Sequence, residues 1–171
     1  NSALLAKQIF SKSKIHVEPI MSSEFQYSAD FLDENSVLLA ISQSGETADV
    51  MHSVKSAKEM GAKVLSIVNI PTSSLARLSD SYLEVNCGPE IGVAATKSFT
   101  SQIALLHYVA VLIGKKSNGI FSSKDVLTKA INQVLELDSQ IERVANQIKG
   151  SKDVYILGRS LHFPICLEGA L

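Results

Sequence analysis

Residues 36–53 read SVLLAISQSGETADVMHS, and this stretch decides the fold. It begins with a continuous apolar run over Ser36–Ile41, which is typical of a β-strand that is covered on both faces. A helical pattern follows over Thr47–Met60, with Gly61 in position to end the helix. The residues between the two patterns are polar apart from Gly45. A buried strand, a short polar loop and a helix form the repeating unit of α/β proteins.

Helical and strand patterns alternate along the rest of the chain. Helices are predicted over Ser2–Ser11, Ser22–Phe31, Thr96–Ile113 and Ser122–Ile148, within the turn Pro71–Ser79, and after Pro164. Strands are predicted over Ile15–Ile20, Lys63–Asn69, Ser81–Asn86 and Asp153–Gly158. Strands separated by helices form right-handed βαβ units and a parallel sheet. The predicted fold class is therefore α/β, a three-layer αβα arrangement around a doubly wound parallel sheet with a flavodoxin-like strand order.

The overall composition excludes several classes of protein. The chain has 171 residues, of which 46% are hydrophobic and 19% charged, as in an ordinary soluble globular protein. Its formal net charge is −1 and its Lys and Arg residues are scattered, so no basic stripe indicates a nucleic-acid partner. No apolar segment approaches the roughly eighteen residues of a membrane span, and the N-terminus lacks a signal-peptide pattern. We therefore expect a cytoplasmic protein that binds neither nucleic acid nor membrane.

The residues that commonly bind metals lack the spacing of a metal site. Cys87 and Cys166 lie far apart and form no CxxC pair, so we expect both to be small buried groups in a reducing compartment. The four histidines show no metal-ligand spacing either. The sequence predicts neither a metal site nor a cofactor.

The polar loop after Ile41 lies where open α/β sheets bind ligands, beyond the carboxyl end of a strand and against the next helix. Free backbone N–H groups and the helix dipole favour an anion there. The hydroxyl groups of Ser42, Ser44 and Thr47 and the amide of Gln43 add further donors. A monophosphate on a small polar molecule fits this set best. The alternative is that Ser and Thr here only cap the helix, and residue chemistry alone leaves both interpretations open.

Four segments follow one another along the chain: SSEFQY (Ser22–Tyr27), SQSGETADV (Ser42–Val50), GPEIGVAATKSFTSQ (Gly88–Gln102) and LGRSLHFPICLEGAL (Leu157–Leu171). They resemble, in the same order, segments of the sugar isomerase (SIS) domains of the glucosamine-6-phosphate synthase family. The second segment resembles the family's phosphosugar loop, and the fourth resembles the start of a second SIS domain. The resemblance covers essentially the whole chain and implies an SIS fold.

This family makes glucosamine 6-phosphate from fructose 6-phosphate and glutamine. The resemblance therefore implies the isomerase portion of an enzyme that binds one of these sugar phosphates, forms a homodimer and carries a glutaminase domain in its full-length form. The residues that correspond to the family's phosphate-binding set are Ser42, Gln43, Ser44 and Thr47. Val93 and Ala94 lie where the family backbone contacts the sugar, and Glu168 lies in the active-site helix of the second domain.

The chain departs from the family pattern at several points. Ala95 stands where the family usually has Ser, which removes one hydrogen bond worth about 1 kcal/mol. We expect residues 1–115 to be a first SIS domain without its first strand, residues 116–150 to be a connecting helix, and residues 151–171 to begin a second SIS domain. The family's later glutamate, histidine and lysine have no counterpart, so the fragment alone is expected to be inactive.

Two functions stay open at this point. The first is the isomerase portion of a glutamine–fructose-6-phosphate aminotransferase, which EIGVAATK (Glu90–Lys97) favours. The second is a non-catalytic SIS module that binds or senses a phosphosugar within a regulator. A fused helix-turn-helix domain would favour the second.

The absence of the first strand leads to a structural expectation. A flavodoxin-like order places that strand inside the sheet, and an empty position would leave backbone groups unpaired at about 1–3 kcal/mol each when buried. Either the natural protein has residues that this sequence omits, or another strand fills the position. Asp153–Gly158, apolar at Val154, Ile156 and Leu157, is the candidate, paired within the chain or exchanged between two chains.

Overall fold

The computed structural model describes residues 1–92, 94–114 and 124–171. Within them, one parallel sheet contains β1 (Val37–Ser42), β2 (Lys63–Val68) and β3 (Ser81–Glu84), in the order β1-β2-β3. The register places Val37 opposite Lys63 and Ser42 opposite Val68. All carboxyl ends therefore lie at one edge of the sheet, and the parallel pairing confirms the predicted α/β class.

Helices connect the strands and cover the sheet. The α-helices are α1 (Ser2–Lys12), α2 (Ala48–Glu59), α3 (Ser74–Leu78), α4 (Lys97–Gly114), α5 (Lys124–Leu135), α6 (Asp138–Ile148) and α7 (His162–Gly169), and a 3₁₀ helix spans Ser22–Tyr27. Because α2 connects β1 to β2 and α3 connects β2 to β3, both connections are the crossovers that parallel strands require. None of the described helices combines the length and apolar character needed to cross a membrane.

Two apolar clusters lie on opposite faces of the sheet. The cluster beneath α2, α3 and the 3₁₀ helix consists of Phe25, Ala29, Ala40, Val54, Ala57, Ala62, Val64, Val68, Leu75 and Ala76. The cluster beneath α1 and α4 consists of Leu5, Ala6, Ile9, Phe10, Ile67, Val85, Leu106 and Ala110. Ile67 and Val68 are neighbours in β2 and face opposite clusters, as the alternation of a strand requires. The three-layer arrangement is therefore confirmed.

Residues 15–20 form no strand, so this prediction is wrong. Ile15 and Val17 contact the cluster beneath α1 and α4, whereas Ile20 contacts the cluster on the other face. The segment therefore passes from one face of the sheet to the other. Its alternating pattern indicated partial burial correctly, but β2 is the only described strand that pairs with β1, and residues 15–20 are not part of the described sheet.

Residues 153–158 form no strand either, so the prediction that they pair into the sheet within the chain is wrong, whereas exchange of this segment between two chains stays a prediction. Tyr155 is 87% exposed and Leu157 is 91% exposed. The apolar pattern predicted burial, yet the described part of the chain does not cover these side chains.

The long helix predicted over Ser122–Ile148 is broken. α5 ends at Leu135 and α6 begins at Asp138, with Leu137 at the N-cap position and no side-chain capping bond. The apolar spacing continues through the break, which is why the pattern did not reveal it. The predicted linker Lys115–Gly119 and the start of the connecting helix lie outside the described residues, and the division into domains stays a prediction.

Candidate functional site

Residues 42–47 connect β1 to α2 and are called the β1–α2 loop below. Ser42 ends β1 and is 7% exposed, and its Oγ accepts a hydrogen bond from the Gly45 N–H at 3.0 Å. The Oγ of Ser44 accepts from the Glu46 N–H at 3.2 Å. A serine hydroxyl that accepts a bond keeps its own proton to donate. The loop is therefore ordered by its serines, and the O–H group of Ser44 remains suitable for a ligand.

Thr47 is at the N-cap position of α2, but its side chain makes no capping hydrogen bond. Its Oγ1 lies 3.4 Å from the Oγ of Ser42 instead. The first-turn N–H groups of a helix have no intrahelical partner, and the positive end of the helix dipole lies there. The interpretation that Ser and Thr in this loop only cap the helix therefore does not hold for Thr47.

Asn69 links the β1–α2 loop to the segment after β3. Its backbone N–H donates to the carbonyl of Gln43 at 3.2 Å. Its Nδ2 donates to the carbonyl of Gly88 at 2.7 Å, and its Oδ1 accepts from the N–H of Cys87 at 3.1 Å. Asn69 is a residue of the candidate site that the sequence-based prediction does not include. The available signal is its position, because it follows β2 at the same edge where Ser42 ends β1.

The two cysteines are not fully buried, which corrects the expectation for them. Cys87 and Cys166 are free, half-buried thiols. The Sγ of Cys87 lies 3.2 Å from Oδ1 of Asn69 as a donor. Cys87 follows the last described strand at the open rim of the sheet, where burial is incomplete.

The segment between β3 and α4 is ordered by Glu90. One carboxylate oxygen accepts from Oγ1 of Thr96 at 3.1 Å, and the other accepts from the N–H of Ser98 in the first turn of α4 at 2.9 Å. The hydrogen bonding of Ser98, followed by that of Thr96, lowers the pKa of Glu90 from 4.5 to about 2. The carboxylate therefore occupies the N-terminus of α4 itself, whereas Thr47 at the N-cap of α2 makes no side-chain capping bond.

The remaining predicted site residues are less closely grouped. Ala94 lies in a half-buried bend before α4, and Val93 lies outside the described residues. Glu168 lies on α7, where its Oε2 accepts from Nδ2 of Asn1 at 2.8 Å. In the described ranges no hydrogen bond joins Glu168 to the β1–α2 loop. The structure thus brings Ser42–Thr47 together and leaves Glu168 beside the start of α1.

The first residues of α3 contact the β1–α2 loop from the other side. The N–H of Ser74 donates to Oε1 of Glu46 at 2.7 Å, and the N–H of Leu75 donates to the carbonyl of Gly45 at 3.0 Å. The bond from the Ser74 backbone is the main reason why the pKa of Glu46 is lowered. The sequence pattern does not single out Glu46, because its partner is far away along the chain.

The hydrogen-bond donors of the β1–α2 loop are all uncharged groups. They are hydroxyl groups, an amide and backbone N–H groups at the start of α2, and the loop itself contains no Lys or Arg. Across residues 1–92, 94–114 and 124–171, no cluster of three or more His, Cys, Asp or Glu side chains is arranged to hold a metal ion.

Comparison with known proteins confirms the resemblance found in the sequence motifs. Residues 2–112 match the SIS domain family. The glutamine–fructose-6-phosphate aminotransferase [isomerizing] of Mesorhizobium japonicum is 40% identical over 180 residues, which cover 99% of this chain and 30% of the relative. The protein of the same name from Thermotoga maritima is 42% identical over 165 residues, which cover 92% and 27%.

A solved structure agrees with these relatives. The C-terminal domain of glucosamine-fructose-6-phosphate aminotransferase from Francisella tularensis has a TM-score of 0.82 at 31% identity, over 99% of this chain and 51% of that one. The chain therefore spans about 30% of the length of the curated relatives and half of this structural neighbour.

Proposed function

The chain belongs to the SIS domain family, and on that premise we propose that it is the phosphosugar-binding isomerase portion of a glutamine–fructose-6-phosphate aminotransferase. The full-length protein would convert fructose 6-phosphate to glucosamine 6-phosphate with ammonia that its glutaminase domain releases from glutamine. The names of relatives at 40% and 42% identity support this proposal over a non-catalytic sensing module.

The observation that carries the proposal is the set of donors in the β1–α2 loop. The Thr47 side chain does not cap α2. The hydroxyl group of Ser44 retains its proton to donate, and so does one hydroxyl group of the hydrogen-bonded pair Ser42 and Thr47. A sugar phosphate would accept hydrogen bonds from these hydroxyl groups, from the Gln43 amide and from the first-turn N–H groups of α2. Neutral donors of this kind would bind the phosphate group, and other residues would then determine which sugar is bound.

The sugar end of the ligand is assigned to the segment before α4 and to α7. Val93 and Ala94 are proposed to contact the sugar through their backbone. Aldose–ketose isomerisation moves a proton between adjacent carbons, and Glu168 is the proposed group for that transfer. A positioned acid or base of this kind contributes roughly 10²- to 10⁴-fold to a rate.

Titration with fructose 6-phosphate and with unphosphorylated fructose tests the phosphate assignment. We expect only the phosphorylated sugar to bind, and we expect a Ser44→Ala, Thr47→Ala double variant to bind about a hundredfold more weakly, since a hydrogen bond to a charged group contributes about 1.5–3 kcal/mol. Calorimetry measures both results.

The matched control for this titration replaces a Ser and a Thr on the exposed helices α5 and α6. A Thr128→Ala, Ser139→Ala double variant should bind as the unmodified chain does, because both residues are exposed and outside the loop. Equal binding of the two sugars, or an unchanged affinity in the loop variant, would contradict the assignment.

We also propose a homodimer and a cytoplasmic location. The homodimer is supported by apolar side chains that α5 and α6 leave exposed, among them Ile131, Val134, Ile141 and Val144, because exposed apolar patches mark interaction surfaces. The location is supported by the two free cysteines, since unpaired thiols are typical of reducing compartments.

A further inference from the structure

The first turn of α3 is bonded directly to the β1–α2 loop. The N–H of Ser74 donates to the carboxylate of Glu46 at 2.7 Å, and the N–H of Leu75 donates to the carbonyl of Gly45 at 3.0 Å. The side chain of Leu75 is fully buried in the cluster beneath α2 and α3. The loop is therefore bonded to a backbone segment that the core itself fixes.

Gly45 and Ser73 pack closely at the same contact. Ser73 is 2% exposed, and its Oγ accepts from the N–H of Ala76 as the cap of α3. A Cβ on Gly45 would lie 2.2 Å from that Oγ. The loop and the start of α3 therefore leave no space between them at this point.

Ser74 is held from its other side by Arg77. The guanidinium Nη2 donates to Oγ of Ser74 at 3.1 Å, and Nη1 donates to the carbonyl of Thr72. The backbone turn that presents the Ser74 N–H to Glu46 is thus held by hydrogen bonds within the protein.

We propose that Glu46 is a positioning residue for phosphate binding, which acts through the β1–α2 loop and does not touch the ligand. Its N–H donates to Oγ of Ser44, and its carboxylate accepts from Ser74. Glu46 thus connects the fixed start of α3 to the part of the loop that contains the donor residues Ser44 and Thr47. This inference rests on the proposed phosphosugar binding and adds to it the residue that preorganises the donors.

The charge of Glu46 makes the proposal testable. If the carboxylate is removed, an electrostatic role and a positioning role predict opposite changes in the affinity for phosphate. A carboxylate near a phosphate repels it, so a purely electrostatic role predicts tighter binding when the charge is removed. A positioning role predicts weaker binding when the acceptor is removed. Gln separates the two, since its Oε1 accepts the same hydrogen bond without the charge.

The experiment is a titration of fructose 6-phosphate into the 171-residue chain and into Glu46→Ala and Glu46→Gln. We expect Glu46→Ala to bind at least about tenfold more weakly, which corresponds to about 1.4 kcal/mol, and Glu46→Gln to stay within about threefold of the unmodified chain. Unchanged or tighter binding by Glu46→Ala overturns the proposal. An equal loss of affinity in both variants also overturns the proposal, because Gln retains the hydrogen-bond acceptor and should therefore retain the affinity.

Asp80 provides a matched control for a general loss of stability. Its carboxylate accepts from the N–H of Val64 at 2.7 Å and pairs with Lys58, at the edge of the sheet opposite to the loop. Asp80→Ala removes a comparable bond and should lower stability without a tenfold loss of affinity. If affinity falls in proportion to stability in both variants, Glu46 has no specific positioning role.

Amide hydrogen exchange tests the contact without a ligand. The N–H groups of Gly45 and Glu46 are bonded to Ser42 and Ser44, so Glu46→Ala should accelerate their exchange about tenfold or more while β2 amides stay unchanged. Unchanged exchange in the loop contradicts the positioning role. Failure of the unmodified chain to bind fructose 6-phosphate contradicts the proposed function instead, so the two failures are distinguishable.

Discussion

At Gly45, both the backbone conformation and the close packing restrict which side chain the β1–α2 loop can contain. The φ of Gly45 is +68°, and a Cβ would lie 2.2 Å from Oγ of the buried Ser73. A non-glycine residue in this conformation costs about 1–2 kcal/mol before the steric overlap is added. We expect Gly45→Ala to lower the free energy of unfolding by about 2 kcal/mol or more and to weaken fructose 6-phosphate binding, as measured by urea denaturation and calorimetry.

Gly150 supplies the comparison for this substitution. No heavy atom lies within 4 Å of the position of its Cβ, and it lacks a positive φ. Gly150→Ala should change stability by no more than about 0.5 kcal/mol. Equal effects at the two glycines would show that the contact with Ser73 does not restrict the loop.

Residue type and local order were sufficient to predict that Ser42, Ser44 and Thr47 lie together, because a strand, a loop and a helix that follow one another bring neighbouring residues together. Asn69 and Glu46 could not be found in the same way. Their roles depend on hydrogen bonds to Cys87 and Ser74, which belong to other connections of the sheet. A sequence pattern of short range carries no information about such pairs.

At the scale of elements, the carboxylate of Glu90 is hydrogen-bonded to the first turn of α4, so the stability of this helix start depends on pH. The pKa of Glu90 falls from 4.5 to about 2 on folding, so the ionised carboxylate stabilises the folded state. The contribution of this carboxylate to the free energy of unfolding is fully present above pH 4.5 and decreases as the pH falls toward about 2. We expect the stability difference between the unmodified chain and Glu90→Gln to shrink over that range.

Urea denaturation at successive pH values measures this difference, and an NMR titration of the Glu90 carboxyl gives its pKa directly. A difference that stays constant from above 4.5 down to about 2 would contradict the assignment of the bond to Ser98.

The strands that the sequence predicted wrongly share one physical cause. An apolar or alternating pattern predicts that a segment is partly buried. A β-strand also needs a neighbouring strand with which to form backbone hydrogen bonds. β1, β2 and β3 pair with one another, whereas residues 15–20 and 153–158 pair with no strand in the described structure. The break between α5 and α6 escaped prediction for a related reason, because the apolar spacing continues through it.

At the scale of the whole molecule, α5 and α6 differ in their packing from the part of the chain before them. The described residues before α5 form two clusters, whereas α5 and α6 have no buried side chains described. We expect the chain to self-associate through this surface, and Ile141→Lys, on a side chain that is 55% exposed, to raise the dimer dissociation constant about tenfold or more.

Sedimentation velocity over a range of concentrations measures this association. Ser139→Lys introduces the same charge at an exposed polar position of α6 and should leave the dimer intact. A monomeric unmodified chain at all concentrations would contradict the proposed homodimer.

Asn69 has a thermodynamic consequence beyond its hydrogen bonds. Its backbone is bonded to Gln43 and its side chain to Cys87 and Gly88, so one residue is hydrogen-bonded to both segments that are proposed to bind the ligand. A group that orders the first segment therefore reduces the entropy that remains to be lost when the second is ordered. The phosphate end of a ligand and its sugar end would bind cooperatively, although they never share a donor.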